Sequence, residues 1–374
     1  MIAERDWSSL PGPALLSVLH RLNLSDFFSS SLVCTAWSAA SKAAKRDYLA
    51  SHPPLLIVSL PGTALGEDIL LYSLKGNKTY KHKHPNQILM NQCFTFSQSH
   101  YVVHNDTGLC WEPLLLNPIT GSETQFPEGP NELGTIILSS SPTTSPGDCV
   151  LVNFDYNCNV HYCKAGDDEW AFHQCPDLVD FWFSSAVCHN GRFYAIAQRM
   201  GSVGREERFV AFNIDPSQAT VLPVKSVPWP SNDVILNNYI FPNVKQFLGD
   251  CQGELLMVFV CLDGSNRVSK CFVYRMDFSK WEWMQVKSLG EESLFVSLGF
   301  RSNPVISFSG MAGRGNCIYI GGYKNNMWSE YCLDDGRHTD HAVCLDHGCG
   351  MIVEEQCCLY SGMVSWVSLS QCFS

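Results

Sequence analysis

The sequence predicts a small all-α unit of three helices at the N-terminus, followed by an all-β propeller of six blades. The propeller has seven blades if residues 345–370 hold one more. Three observations carry this expectation. Apolar residues recur at helical spacing only before residue 50. Short strands broken by Gly, Pro, Asn and Asp fill residues 55–370. Those strands recur as one pattern at a nearly regular interval.

Between the two textures sits Ser51-His52-Pro53-Pro54. Two prolines cannot continue a helix, and each pushes the residue before it toward extended geometry. The chain therefore divides into a helical unit over 1–50, a linker over 51–54 and a propeller over 55–374. In the first unit, Pro11 and Pro13 stand where a helix can begin. Leu15, Leu16, Val18, Leu19 and Leu22 follow near the 3.6-residue period. Asn23-Leu24 interrupts that helix. Ser25 is the expected N-cap of a second helix, with Asp26 near its positive end and Phe27, Phe28, Leu32 and Val33 as its apolar face. A third helix is expected over 36–50. So short a unit makes a weak core alone, and its leucines exceed what that core needs. The surplus calls for a cover.

The repeat is read from six strand-then-turn units. Taking Tyr72, Leu116, Tyr162, Phe212, Tyr274 and Tyr331 as anchors, the spacings are 44, 46, 50, 62 and 57 residues. Before the hairpins stand apolar strands, several of them opened by a glycine: Gly191, Gly253 and Gly315. A four-stranded unit of this size cannot bury both of its faces, so neighbours must stack and the ring must close. The tail beyond 345 either forms a further blade or lends a closing strand to the first. A β-sandwich with irregular insertions is the alternative, and six copies of one pattern favour the propeller.

Composition narrows the function. The 374 residues include 25 basic and 36 acidic side chains, a net charge of −11, with no basic block. Nucleic acid and anionic membrane surfaces are therefore not expected partners. No apolar run approaches the ~20 residues of a membrane helix. The 18 cysteines follow no disulfide or zinc spacing, and Met-Ile-Ala-Glu-Arg-Asp does not open like a signal peptide. Reduced thiols packed as small hydrophobes are expected, in the cytoplasm or the nucleus.

The N-terminal unit carries a specific pattern: Trp7-x-x-Leu10-Pro11-x-x-x-Leu15-Leu16-x-Val18-Leu19-x-x-Leu22, then Asp26-Phe27, then Val33-Cys34-x-x-Trp37. It resembles the F-box. That resemblance implies docking onto the Skp-type adaptor of a cullin-based ubiquitin ligase. Leu10, Pro11, Leu15, Leu16, Leu19, Leu22, Cys34 and Trp37 would form the adaptor-binding face. Ser38 departs from the family, many members of which carry Arg there. The body is similar to the plant F-box-associated family labelled domain of unknown function 295, a kelch-like propeller. The similarity rests on Leu116-Asn117-Pro118-x-Thr120-Gly121, Val273-Tyr274-Arg275-Met276-Asp277, Trp283-x-x-Val286-x-x-Leu289-Gly290, Leu294-Phe295-Val296 and Asn316-Cys317-Ile318-Tyr319-Ile320. These motifs also have a local cause, since Pro118 and Gly121 suit a turn.

His338-x-x-His341-x-x-Cys344-x-x-His347-x-Cys349 has the residue types of a metal site. Residues three apart on a strand face opposite sides, so no metal is assigned there, nor to His82 and His84. No Walker loop, nucleophile elbow or dinucleotide fingerprint occurs. The expected protein is thus a non-catalytic adaptor without cofactor. Its helical unit would hold the scaffold and its propeller a target protein, at residues the sequence does not name. The alternative is a propeller enzyme or small-ligand receptor whose helical unit is a structural cap.

Overall fold

The computed structural model describes residues 7–59, 68–83, 93–106, 111–130, 134–143, 147–155, 157, 159–178, 180–201, 204–213, 219–221, 227–229, 243–298, 305–309, 314–322, 327–343 and 364–373. After a 3-10 turn at Trp7–Ser9 come α1 (Gly12–Leu19), α2 (Leu24–Ser30) and α3 (Thr35–Ala50). Proline opens α1, as expected. The cap of α2 is Asn23 rather than Ser25. The Asn23 side-chain oxygen accepts from the Asp26 amide at 3.0 Å, so the helix starts earlier than expected. Leu32 and Val33 are not part of the α2 face. They stand in the turn after the cap residue Ser31 and are 86% and 62% exposed. The three helices are held together by Tyr48. Its ring stacks on Phe27 with centroids 3.7 Å apart, and its hydroxyl donates to the Leu22 carbonyl.

Six sheets follow, one per blade, each running from the channel outward. The first joins β25 (Val364–Val367) to β1 (Leu55–Ser59), β2 (Asp68–Ser73) and β3 (Lys78–Lys83). The second holds β4 (Cys93–Ser97), β5 (His100–Asp106), β6 (Trp111–Leu116) and β7 (Glu123–Gln125). The third holds β8 (Thr135–Leu138), β9 (Val150–Phe154), β10 (Asn159–Lys164) and β11 (Ala171–Gln174). The fourth holds β12 (Trp182–His189), β13 (Arg192–Gly201), β14 (Gly204–Asn213) and β15 (Ala219–Val221). The fifth holds β16 (Asn243–Cys251), β17 (Glu254–Leu262), β18 (Val268–Asp277) and β19 (Glu282–Val286). The sixth has five strands, β20 (Glu292–Ser297), β21 (Val305–Ser309), β22 (Cys317–Gly321), β23 (Met327–Cys332) and β24 (His338–Ala342), in the order β21-β20-β22-β23-β24. Its β20–β22 pair is parallel, and all the other strand pairs among the described residues are antiparallel. The six sequence anchors fall on β2, β6, β10, β14, β18 and β23, the strand next to the outermost in every blade. The tail closes the first blade: Leu55 pairs with Val367 and Val58 with Val364. Residues 344–363 lie outside the described residues.

Inner strands fan apart around the channel and cannot ladder between blades, so their buried amides need other acceptors. Serines supply them. Ser97 Oγ accepts from Leu138 N at 3.0 Å, Ser185 Oγ from Leu248 N at 2.9 Å and Ser297 Oγ from Trp366 N at 3.1 Å. Where the inner strands β16 and β21 approach each other, side-chain size is limiting. A Cβ added at Gly249 would stand 2.6 Å from Val305 Cβ.

Helices and ring share one core. Leu15, Leu19, Phe27, Trp37 and Tyr48 belong to the same buried cluster as Leu55 and Ile57 of blade 1 and Phe96, Tyr101 and Leu116 of blade 2. A C-terminal helix, α4 (Leu369–Cys372), is wedged into that cluster through Leu369 and Cys372. The cover for the surplus leucines is therefore, in large part, the chain's own ring and tail. His52, Pro53 and Pro54 are buried, so residues 51–54 form a packed joint rather than a solvated linker.

Candidate functional site

The eight residues expected at the adaptor face separate into three groups. Leu15, Leu19 and Trp37 are buried, at 3%, 0% and 8% exposure, and build the shared core. Leu10, Leu22 and Cys34 are half-buried against it. Pro11 and Leu16 are exposed. The apolar surface left over is carried largely by residues outside that set. Trp7 is 56% exposed, and the turn between α2 and α3 offers Leu32 and Val33. Trp7 is tied to this end of α3, because its carbonyl accepts from Trp37 Nε1 at 3.1 Å. Phe28 points outward from α2 and meets Phe373, over whose ring Lys45 Nζ sits at 4.5 Å. Two adjacent aliphatic residues just before a helix start, rather than on its periodic face, were the available signal for Leu32 and Val33.

The helical unit is held in a set orientation by the tail. Asn117 is fully buried in the turn after β6. Its Nδ2 donates to the Cys372 carbonyl at 2.9 Å, and its Oδ1 accepts from Ile119 N and Thr120 N, both at 3.0 Å. Gly121 closes that turn at φ +71°, a conformation that favours glycine. The Gln371 side chain accepts from Ser99 Oγ at 2.6 Å and donates to Gln98 Oε1 at 3.0 Å. The Asn-Pro-x-Thr-Gly motif thus works as a socket for the C-terminus.

A cavity of about 390 Å³ occupies the channel, lined in part by Gln98, Ser99, Asn190, Asp250, Ser307 and Gln371. Asp250 Oδ2 lies 3.1 Å from Nδ1 of the buried His189, and Asp250 Oδ1 accepts from Gly253 N at 3.2 Å. His189 also stacks on Phe278, which fixes its ring between blades 4 and 5.

The histidine cluster does not converge among the described residues. His338 is exposed on β24, whereas His341 stacks on Trp328 with centroids 4.0 Å apart and Nε2 3.8 Å from Glu330. Burial holds the His341 imidazolium below its usual pKa range. No group of three His, Cys, Asp or Glu among the described residues could hold a metal ion. Cys344, His347, Cys349 and His84 lie outside them, and the side chain of His82 is not among those described. Described thiols such as Cys149, Cys163, Cys251 and Cys271 are free and buried, and desolvation pushes that of Cys163 up to about 12. No helix among the described residues is long and apolar enough to cross a membrane.

Known proteins place both halves. Residues 7–47 match the F-box domain, and residues 71–350 match the KIB1-4 beta-propeller. The F-box/kelch-repeat protein KIB1 of Arabidopsis thaliana is 23% identical over 323 residues, covering 84% of this chain and 77% of that one. The F-box protein At2g14290 of the same plant is 26% identical over 311 residues, covering 79% and 81%. TolB from Acinetobacter baumannii superposes at a TM-score of 0.41 with 11% identity, covering 89% of this chain and 73% of that one, a likeness too loose to add to the six sheets. With three quarters of its length inside the match and the helical unit aligned ahead of it, this chain belongs to the KIB1-4 β-propeller family and carries an N-terminal F-box.

Proposed function

We propose that the chain is the substrate-recognition subunit of a Skp/cullin/F-box ubiquitin ligase. Its F-box docks on a Skp-type adaptor, and through it on a cullin, while the propeller holds a target protein. The chain makes and breaks no bonds itself. It raises the concentration of the target beside the charged ubiquitin-conjugating enzyme. The motifs of the body further support a place in the F-box-associated family 295. The observation that carries the reading is the apolar surface of the F-box. Leu32, Val33 and Trp7 stay exposed after the unit has packed its core, and exposed apolar residues at this density mark a protein interface. The shared core supports it too, because a rigid joint sets the distance between adaptor and target.

The test uses two variants of the full chain. Leu32→Asp combined with Val33→Asp removes exposed side chains only, so stability should change by about 0.5 kcal/mol or less per site. Adaptor co-purification should fall at least about thirtyfold, the loss of about 2 kcal/mol that an interface anchor carries. Leu15→Ala should cost about 2–5 kcal/mol of stability instead, because it empties the core. Adaptor binding retained by the double aspartate variant would refute the proposal.

A further inference from the structure

The two ends of the ring differ. The end that carries the F-box is where Leu55 pairs with Val367. The turns between inner and second strands open there, at Gln98–Ser99, Asn190–Gly191 and Gln252–Gly253. Ser99 Oγ, for example, accepts from Ser368 N at 2.9 Å. The turns between third and fourth strands open there as well, since Tyr72 pairs with Leu56 and Lys164 with Val150. The 390 Å³ cavity reaches this same end, because Gln98, Asn190 and Gln371 are in its wall.

The chemistry of that mouth is one-sided. Its described lining offers amides and hydroxyls and one carboxylate, Asp250, and no Lys or Arg. Asp250 retains 33% exposure of its side chain beyond its bonds to His189 and Gly253. Outside the cavity, exposed Asp168 and Glu169 of blade 3 and Glu291 of blade 6 stand in turns on the same end. Of the basic side chains there, Arg275 pairs with Glu254, Lys280 with Asp277 and Arg337 with Asp335, while exposed Lys75, Lys78 and Lys164 stand at the outer hairpins of blades 1 and 3, outside the cavity lining. Charge is also divided unevenly along the chain. Residues 1–50 hold five basic and four acidic side chains, a net +1, so the other residues carry −12 of the total −11.

We propose that the channel mouth beside the F-box takes a Lys or Arg side chain from a basic segment of the target protein, against the Asp250 carboxylate. The assignment of that segment to a target rests on the ligase reading above. A cavity of this volume is in the range of ligand sites, and low-dielectric walls carrying a single sign of charge focus the field on a cation. Amide oxygens of Gln98, Asn190 and Gln371 supply acceptors for the remaining donors of the cation. The same charge repels nucleic acid and acidic peptides. A segment seated there lies beside the adaptor-binding helices.

The experiment uses the full chain co-purified with its adaptor. The probe is a fluorescent peptide of alternating Arg and Gly, with an alternating Glu and Gly peptide as control. Saturable binding of the Arg probe that weakens with salt is expected, and none of the Glu peptide. Asp250→Asn keeps the acceptor for Gly253 N and should lower affinity about tenfold or more, as loss of a charge-assisted hydrogen bond does. Asn190→Lys sets a cation at the mouth and should abolish binding independently, which keeps the test decisive if the first variant folds poorly. Asp177→Asn, exposed at the opposite end, should change nothing. Equal behaviour of D250N, N190K and D177N, or equal binding of both peptides, would overturn the proposal. The adaptor is quantified in the same samples. Its loss with Arg-probe binding intact would count against the ligase reading alone.

Discussion

Replacing Asn117 with aspartate tests the joint between F-box and ring with a change of one atom in shape. In the native turn, Oδ1 accepts two amides and Nδ2 donates to the Cys372 carbonyl. N117D keeps the acceptor and loses the donor. The site is fully buried, so the ionised carboxyl faces a carbonyl oxygen without water. Loss of the hydrogen bond costs about 1 kcal/mol, and leaving a buried acceptor unpaired against a charge brings the total to about 2–4 kcal/mol. The cost should depend on pH. Burial raises the folded-state pKa of the substituted carboxyl above its unfolded value. The folded variant then binds more protons than the unfolded one, and its stability falls as pH rises through that window. Once protonated, the carboxyl can donate to Cys372 again. Urea unfolding of wild type and N117D should show a gap that narrows from about pH 7 to about pH 5. Hydrogen exchange at 364–373 should rise in the variant at neutral pH. A gap below about 0.5 kcal/mol at neutral pH, or one independent of pH, would refute the socket.

Two further outcomes follow from the same packing. Trp366 is fully buried and meets Phe295 edge-on at 5.0 Å, so Trp366→Ala should cost about 3–5 kcal/mol. Its urea transition should move for ring and F-box together, because β25 leads straight into α4, and separate transitions would contradict the shared core. His52 is buried with Nδ1 3.1 Å from the Tyr48 carbonyl, and desolvation holds its pKa below the usual value. The unfolded chain therefore takes up a proton that the folded one resists. This contribution is complete above about pH 6.5 and is lost as pH falls below it. His52→Asn should flatten part of the acid side of the stability profile. His100, buried and shifted in the same direction, should keep the remainder. An unchanged profile would place the acid sensitivity elsewhere.

Much of the architecture was legible because it is written in local chemistry. The anchor strands are apolar and end at turns rich in Gly, Asn and Asp, and all six fall at one depth in their blades. The F-box pattern was equally plain. Three features were not legible. Inner strands such as β4 and β12 carry serines whose role is to accept an amide from a neighbouring blade, and no spacing along the chain records that partner. The parallel β20–β22 pair brings an additional strand into blade 6, although its segments read like any other hairpin. Leu15 and Leu19 look the same as Leu16 in a helical pattern, yet they are sealed and it is not.

By itself the sequence determined the two classes of element, the repeat that builds the ring and the identity of the helical motif. Helical periodicity, turn residues and repeat spacing act within a few residues of one another. Tertiary structure alone decided which leucines remain exposed, that residues 51–54 are a packed joint and that the C-terminus is the clasp. It also set Asp250 in the wall of a channel beside the F-box. Each of these depends on contacts between segments far apart in the chain, such as the 273 residues that separate Gln98 from Gln371. Burial follows from what arrives from elsewhere, and a residue carries no trace of that in its neighbours.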